Sequence, residues 1–246
     1  MRKNNRITRY LYKLHRYAGL LSAIILLMLA VTGIALNHTD DLKLDSQMIQ
    51  SPSLLDWYGI EAPNNVVSFS TKNHHLTLAN QQLYFNDSLL QNHTSHLLGA
   101  VETEDFVIIA LNNSLLLMSL EGELIESIPL NSIKSIGVSL QGIVTQSESG
   151  LNYSDNGLLS WQPANNKNIL WSTASQLPDP INQKIKNQFR ASILPLERVL
   201  LDIHSGRFFG FIGIILVDIS GILLIILALS GCVIWIRHKI RTFKRQ

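Results

Sequence analysis

Two long apolar runs lie near the ends of the chain, and between them the apolar residues come in short runs. Residues 17–36 carry no charge, and residues 208–236 carry only Asp218. A helix needs about 20 apolar residues to cross the hydrocarbon core of a bilayer. A buried helix of a soluble protein would show a polar face, and neither run shows one. The pattern therefore predicts two transmembrane helices, at 17–38 and 217–236.

The first run has an alternative interpretation, a cleavable signal peptide, because a basic segment precedes it. Signal peptides have a core of about 7–15 apolar residues followed by an A-x-A site. The run at 17–36 is longer and no such site follows it. A retained membrane anchor is therefore favoured.

The middle of the chain, residues 39–192, is predicted to form a β-rich domain. Short apolar runs alternate there with turn signals, including one at 155–157. Three such units begin at His75, Phe106 and Gly142, with a period of roughly 32–36 residues that is typical of β-meander repeats. We expect a small β-meander or an open β-sandwich. Ordinary hairpins with chance spacing are the alternative.

Helical spacing returns after the β-rich domain. Residues 181–194 alternate apolar residues with Lys184, Lys186 and Arg190, which is typical of an amphipathic helix. Residues 193–216 are predicted to continue as an amphipathic, interfacial segment before the second span. We expect both segments to lie near lipid headgroups.

The charge distribution orients the predicted spans. Eleven of the 20 basic residues lie on two short tails, 1–16 and 237–246, which contain no acidic residue. Basic tails stay on the cytoplasmic side of a membrane, so both termini are predicted to be cytoplasmic and the central domain periplasmic, as in a bacterial inner-membrane protein. The clustered charges also favour anionic lipid headgroups as the partner, and not nucleic acid.

The ends of the two apolar runs resemble a known family. The first carries LHRYAGL at 14–20 and LAVTG at 29–33, and the second region carries LERVLLDIHSGRFFG at 196–210, with LSG at 229–231. These motifs and their order are similar to those of the PepSY-associated transmembrane family. That resemblance implies a relationship to iron-regulated inner-membrane proteins and to haem-containing ferric-siderophore reductases. This chain departs from the larger relatives by having two predicted spans instead of four.

The small residues of the two spans form a matched pair, because Thr32-Gly33 in the first corresponds to Ser230-Gly231 in the second. Small residues let helices approach closely, and the hydroxyls can bond to backbone carbonyls. Helix packing is the favoured interpretation of these residues.

Four histidines lie at the predicted membrane boundaries. His15 and His238 fall at the inner edge, and His38 and His204 at the outer edge. A membrane b-type haem takes two neutral imidazoles from different helices, so these four are candidate haem-iron ligands, and the resemblance supports His15 and His204 because both fall inside the matching motifs. Interfacial histidines that bind nothing are the alternative.

The other histidines, His74, His75, His93 and His96, lie in the predicted β-rich domain. They have no acidic residue or cysteine at a metal-binding spacing, so we expect solvated loop residues.

Two functions fit these features. In the first, the protein is a haem-dependent oxidoreductase component that passes electrons to a ferric siderophore or another periplasmic acceptor. Haem b would then be the cofactor, Arg207 would pair with a haem propionate, and a homodimer would complete a four-helix bundle. In the second, the chain is a non-enzymatic anchored accessory subunit of a larger envelope complex and needs no cofactor.

Overall fold

The two apolar runs form the longest helices of the computed structural model, which describes residues 2–154, 158–164 and 168–243. Helix α6 spans Gly210–Phe243. The segment from Arg207 to Ile240, which contains most of α6, is long and apolar enough to cross a membrane, and only 11% of its apolar window is buried. Helix α1, Arg2–Asn37, contains the other run. It is bent by 54° and meets the same criterion only when its two straight parts are counted together.

The bend in α1 lies between Leu20 and Ser22. Beside it, the Ser22 hydroxyl donates a hydrogen bond to the Ala18 carbonyl, at 2.8 Å. A serine hydroxyl that bonds to the preceding turn competes with the helical hydrogen bond of that carbonyl and favours bending. The bend thus falls where a small polar side chain interrupts the apolar run.

A helical unit, Met1–Ile49 with Leu194–Gln246, contains α1 and α6 together with shorter elements. These are α2 at Thr39–Leu42, α5 at Leu196–His204, and a 3-10 turn at Arg207–Phe209. Backbone hydrogen bonds join 44–49 to 194–197, for example from Ile49 N–H to the Leu194 carbonyl at 2.9 Å. The structure therefore groups 39–49 with the helices, whereas the sequence pattern placed this segment with the β-rich domain.

Two glycines form the turn between α5 and α6. Gly206 has φ 78°, and a methyl group at Gly213 would lie 2.1 Å from the Gly206 carbonyl oxygen. Only hydrogen atoms at both positions let the chain reverse so tightly. After the turn, α6 runs without a break through 217, where the sequence pattern placed the start of the second span, and it continues through Phe243.

A β unit, Gln50–Ile193, holds three antiparallel sheets. The first has the strand order β1-β2-β3-β4, the second β5-β6-β7-β8, and the third β12-β11-β10-β9-β13. Strands that follow one another along the chain are neighbours from β1 to β4, from β5 to β8 and from β9 to β12, as in β-meanders, and β13 returns to pair with β9. The strands of the first two sheets are β1 Val66–Ser70, β2 His75–Ala79, β3 Gln82–Phe85, β4 Ser88–Gln91, β5 Leu97–Glu102, β6 Phe106–Leu111, β7 Ser114–Ser119 and β8 Leu124–Pro129. Those of the third are β9 Ser135–Ser139, β10 Gly142–Ser147, β11 Gly150–Ser154, β12 Gln162–Pro163 and β13 Leu170–Trp171.

Each unit in the sequence pattern begins at the second strand of a sheet, because β2, β6 and β10 carry the clearest apolar runs. The first strands, such as SIGVS in β9, are richer in serine and glycine. The turn expected at 155–157 lies outside the described residues.

A strap at 170–175 crosses the first strands of all three sheets. It pairs with β9 through Leu170 and Trp171, and Ser172 Oγ accepts a hydrogen bond from Ala100 N–H at 2.9 Å. Ser175 N–H donates to the Ser68 carbonyl at 2.8 Å. The strap thus connects the three sheets to one another.

Two helices complete the β unit, α3 at Pro52–Trp57 and α4 at Asp179–Ala191. Ile185 of α4 is buried against Ala79 and Tyr84 of the first sheet. The apolar face of this amphipathic helix is therefore occupied by the sheet. The expectation that this helix lies near lipid headgroups stays a prediction.

Candidate functional site

The first histidine site lies in the helical unit, where α1 packs against α6. His15 Nδ1 lies 3.0 Å from the Ser230 hydroxyl oxygen. A methyl group at Gly231 would stand 3.6 Å from His15 Cε1, so the ring also lies against this glycine. The ring is half-buried. His15 thus contacts the small-residue pair of the opposite helix.

The second histidine site has the same arrangement, but here the histidine comes from the C-terminal part of the chain and the small-residue pair from α1. His204, the last residue of α5, places Nδ1 2.9 Å from the Thr32 hydroxyl oxygen of α1. A methyl group at Gly33 would lie 3.3 Å from His204 Cε1, which is tighter than an ordinary contact. The His204 ring is also half-buried. Each small-residue pair therefore receives one imidazole from another helix.

Both hydroxyls also bond back to their own helix. Thr32 Oγ1 donates to the Met28 carbonyl at 2.8 Å, and Ser230 Oγ donates to the Leu227 carbonyl at 3.1 Å. Their side chains are buried. The sequence analysis expected packing residues whose hydroxyls bond to backbone carbonyls. The structure shows these bonds, and it also shows a contact from each hydroxyl to a histidine ring, which was not expected.

The two histidine sites are separated along the membrane helices. His15 and Thr32 are both on α1, about 25 Å apart at the helical rise of 1.5 Å per residue, measured along the bent axis. The structure therefore does not bring His15 and His204 together. It places one of them towards each end of α1.

The remaining candidate ligands are more exposed. His38 follows α1, and its Nδ1 lies 3.0 Å from the Asp41 carboxylate. It comes six positions after Thr32, about 9 Å further along α1. His238 is exposed on α6, eight positions and about 12 Å beyond Ser230.

Arg207 belongs to a charged cluster at the turn between α5 and α6. Its Nε lies 3.3 Å from Asp202, and Arg198 Nε donates to the same carboxylate at 3.1 Å. The Asp202 side chain is 7% exposed, whereas both arginines are about half exposed. Two guanidinium groups share one buried carboxylate, which leaves a surplus positive charge beside His204. Sequence analysis identified Arg207 but missed Asp202, although the spacing of Arg198 and Asp202 is that of a helical ion pair.

A buried polar cluster in the β unit was also missed. His74 Nδ1 lies 3.0 Å from Glu102 Oε2, and His74 Nε2 lies 2.9 Å from the Leu120 carbonyl oxygen. Burial opposes the charge on Glu102, but hydrogen bonds from Thr71, Asn73 and His74 outweigh it and lower its pKa to about 2.

The expectation of solvated loop histidines holds for His93 and His96, which are exposed. It was wrong for His74, whose side chain is 11% exposed because the buried Glu102 carboxylate needs hydrogen-bond donors. His75 begins β2 and contacts the Ser70 hydroxyl at 2.8 Å. Among the described residues, no group of three metal-binding side chains comes together.

Helix α6 has little burial and lies in a segment long and apolar enough to cross a membrane, and the bent apolar helix α1 packs beside it. The family model for the PepSY-associated TM region matches residues 1–238, so the chain is a membrane protein that belongs to that family. Neither the curated proteins nor the solved structures contain a match to it.

Proposed function

We propose that this protein is a b-haem electron-transfer component of the bacterial inner membrane, with α1 and α6 as two spans, both termini cytoplasmic and the β unit periplasmic. The observation that carries the proposal is the pair of histidine sites. Each offers an imidazole that is fixed through Nδ1 by a neighbouring helix, as metal-ligating histidines are fixed by their outer-shell partners.

The donor set fits haem iron. In the described part of the chain, neither His15 Nε2 nor His204 Nε2 has a hydrogen-bond partner, so each is available as an axial ligand. His38, which Asp41 holds through Nδ1 in the same way, would be the second ligand beside His204. His238, or a histidine of a second copy of the chain, would be the second ligand beside His15. Bound haem would accept and release one electron at each site.

Charge at the outer site also fits. Arg207 comes three positions after His204, and together with Arg198 it carries one positive charge more than the Asp202 carboxylate that both arginines contact. A haem propionate would pair with the Arg207 guanidinium, which retains donors beyond the Nε that faces Asp202. Two haems near opposite faces would relay electrons across the bilayer to a ferric siderophore or another periplasmic acceptor.

The test is optical. The full chain is purified in mild detergent from haem-replete cells, and spectra are recorded after oxidation and after reduction with dithionite. We expect a sharp Soret band and a reduced α-band typical of bis-histidine b-haem. His15→Ala and His204→Ala should each lower haem content by about half, and His96→Ala, at an exposed position of the β unit, should leave it unchanged. A well-folded, colourless protein that stays colourless after haem addition would refute the proposal.

A second function is favoured by a separate observation. In the third sheet and its flanking loops, Leu140 is 99% exposed and Leu159 is 91% exposed. Exposed apolar side chains that form a contiguous patch are typical of a surface that contacts another protein, and the accessory-subunit proposal takes these two leucines to belong to such a patch. If haem is absent, a non-enzymatic accessory subunit that docks onto an envelope complex through this sheet becomes the better proposal.

A further inference from the structure

Among the side chains that the structure describes in the two long helices, four hydroxyl groups are buried, and all four bond back to the preceding turn. They are Ser22, Thr32, Ser220 and Ser230. Ser22 donates to the Ala18 carbonyl at 2.8 Å and Ser220 to the Leu216 carbonyl at 2.7 Å, just as Thr32 and Ser230 donate to carbonyls of their own helix. Only Thr32 and Ser230 also meet a histidine ring. The other two show what such a hydroxyl does in these helices without a histidine.

The single proton of each hydroxyl decides which hydrogen bond it can make to the ring. A hydroxyl has one hydrogen to donate and two lone pairs to accept with. A Thr32 hydrogen donated to the Met28 carbonyl leaves the hydroxyl oxygen only lone pairs with which to accept from His204. The same reasoning applies to Ser230, the Leu227 carbonyl and His15. With both hydroxyl hydrogens donated to carbonyls, as they are at Ser22 and Ser220, the proton of each neutral imidazole belongs on Nδ1.

From this geometry we infer that Thr32 and Ser230 are positioning residues that fix the Nδ1–H tautomer of His204 and His15 and keep each Nε2 lone pair free for haem iron. The inference rests on the proposed function for the identity of the ligand. Its tautomer component is a property of the chain alone.

The adjacent glycines fit this role. The ring atom Cε1, which lies between the two nitrogens, approaches Gly33 and Gly231. A side chain at Gly33 would crowd the His204 ring at 3.3 Å, whereas at Gly231 a methyl group fits at 3.6 Å. The hydroxyl holds one ring nitrogen while the glycine leaves room for the ring beside it.

The tautomer can be measured without haem. Nitrogen-15 spectra of the detergent-solubilised full chain, recorded well above the ordinary imidazole pKa of about 6.5, distinguish a protonated ring nitrogen from a bare one. Assignments come from His15→Gln and His204→Gln. We expect Nδ1–H forms for both rings in the wild type. Thr32→Val should convert His204 alone to a mixture of tautomers, and Ser230→Ala should do the same for His15 alone.

Ser22→Ala and Ser220→Ala are matched controls, because each removes a buried, carbonyl-bonded hydroxyl that meets no histidine. Both should leave the two tautomers unchanged. An Nε2–H form in the wild type, or tautomers that do not respond to Thr32→Val and Ser230→Ala, would overturn the inference.

The haem-loaded protein supplies an independent readout. A hydrogen bond accepted from Nδ1–H makes the imidazole a stronger donor to iron, and removing such partners in metal sites typically lowers metal affinity about 10–100-fold. Thr32→Val should therefore weaken haem binding at one site by about tenfold or more and make the midpoint potential of that site more positive. Unchanged affinity and potential would overturn the assigned role. Absence of haem from every variant, with the expected tautomers, would refute only the proposed function and would support the tautomer assignment.

Discussion

In the β unit many large apolar side chains are fully buried, whereas in the two long helices most of the described large apolar side chains are exposed. Leu83 and Ile109 of the sheets are 0% exposed, while Ile24 of α1 is 80% exposed and Phe211 of α6 is 75% exposed. Buried hydroxyls occur in both units, because Thr77 of β2 is 0% exposed and Ser22 and Ser220 of the long helices are 1% and 2% exposed. The two units therefore differ in where their apolar side chains lie, and this difference is the one that the proposed membrane position of the long helices predicts.

The comparison also shows what holds each unit together. The first and second sheets share one apolar cluster, the second and third sheets share another, and the strap at 170–175 bonds to all three sheets. The helices are joined by close backbone approach, as at Gly206 and Gly213, and by a few side-chain hydrogen bonds between α1, α5 and α6. Substitutions should therefore have different effects in the two units, depending on whether they add atoms or remove them.

Adding one methyl group in the helical unit should have the largest effect. Gly213→Ala would place Cβ 2.1 Å from the Gly206 carbonyl oxygen, which is backbone and cannot move aside cheaply. We expect a loss of about 4 kcal/mol or more in the free energy of unfolding, seen as loss of monodisperse protein in detergent on size-exclusion chromatography.

Gly221→Ala is its control, because no atom lies within 4 Å of the added methyl group. It should be neutral or slightly stabilising, since alanine favours the helix by about 1 kcal/mol over glycine. Equal behaviour of the two variants would contradict the close approach of the turn to α6.

Removing side-chain atoms should lower the free energy of unfolding more in the β unit than in the helical unit. Leu83→Ala in the first sheet deletes a fully buried side chain and should cost about 2–5 kcal/mol. Leu224→Ala removes the same atoms from α6, where the side chain is exposed to the surroundings. It should cost less than about 0.5 kcal/mol, because lipid tails are as apolar as leucine. Urea titration of the full chain in detergent, followed by tryptophan fluorescence, measures the first, and proteolysis of α6 tests the second. A large cost at Leu224 would show that α6 packs against further protein.

The sequence predicts the apolar helices and strands well and the hydrogen bonds of the polar side chains poorly. The length and composition of the run at 208–236 predict α6, and turn residues mark the ends of most strands. Ser230 and Thr32 look like packing residues because their histidine partners are 215 and 172 positions away in the chain. No local pattern encodes such a contact. The strand β9 was also missed, because it contains a glycine in place of an apolar residue. Gly137 lies so close to the strap that a methyl group there would stand 2.7 Å from the Leu170 carbonyl oxygen.

Lowering the pH should destabilise the β unit through Glu102, and this effect should be smaller than those of the substitutions above. Its pKa is lowered from 4.5 to about 2 in the folded chain. A depressed pKa stabilises the fold at any pH above 4.5, and this stabilisation is lost as the pH falls from 4.5 towards 2. About 2 kcal/mol of the free energy of unfolding should therefore disappear between pH 6 and pH 3. Urea midpoints from tryptophan fluorescence at the two pH values measure this loss.

Two variants show whether that loss belongs to the buried cluster. Glu102→Gln cannot ionise, and it leaves the hydrogen bonds from Thr71 and His74 with a neutral acceptor. It should be less stable than the wild type at pH 6 and should lose about 2 kcal/mol less than the wild type on acidification. Glu104→Gln, at an exposed position two residues away, should keep the wild-type dependence. If Glu102→Gln also keeps the wild-type pH dependence, the acid sensitivity arises at another residue. The buried Glu102 carboxylate would then not stabilise the β unit as the hydroxyl–histidine pairs are expected to stabilise the helices.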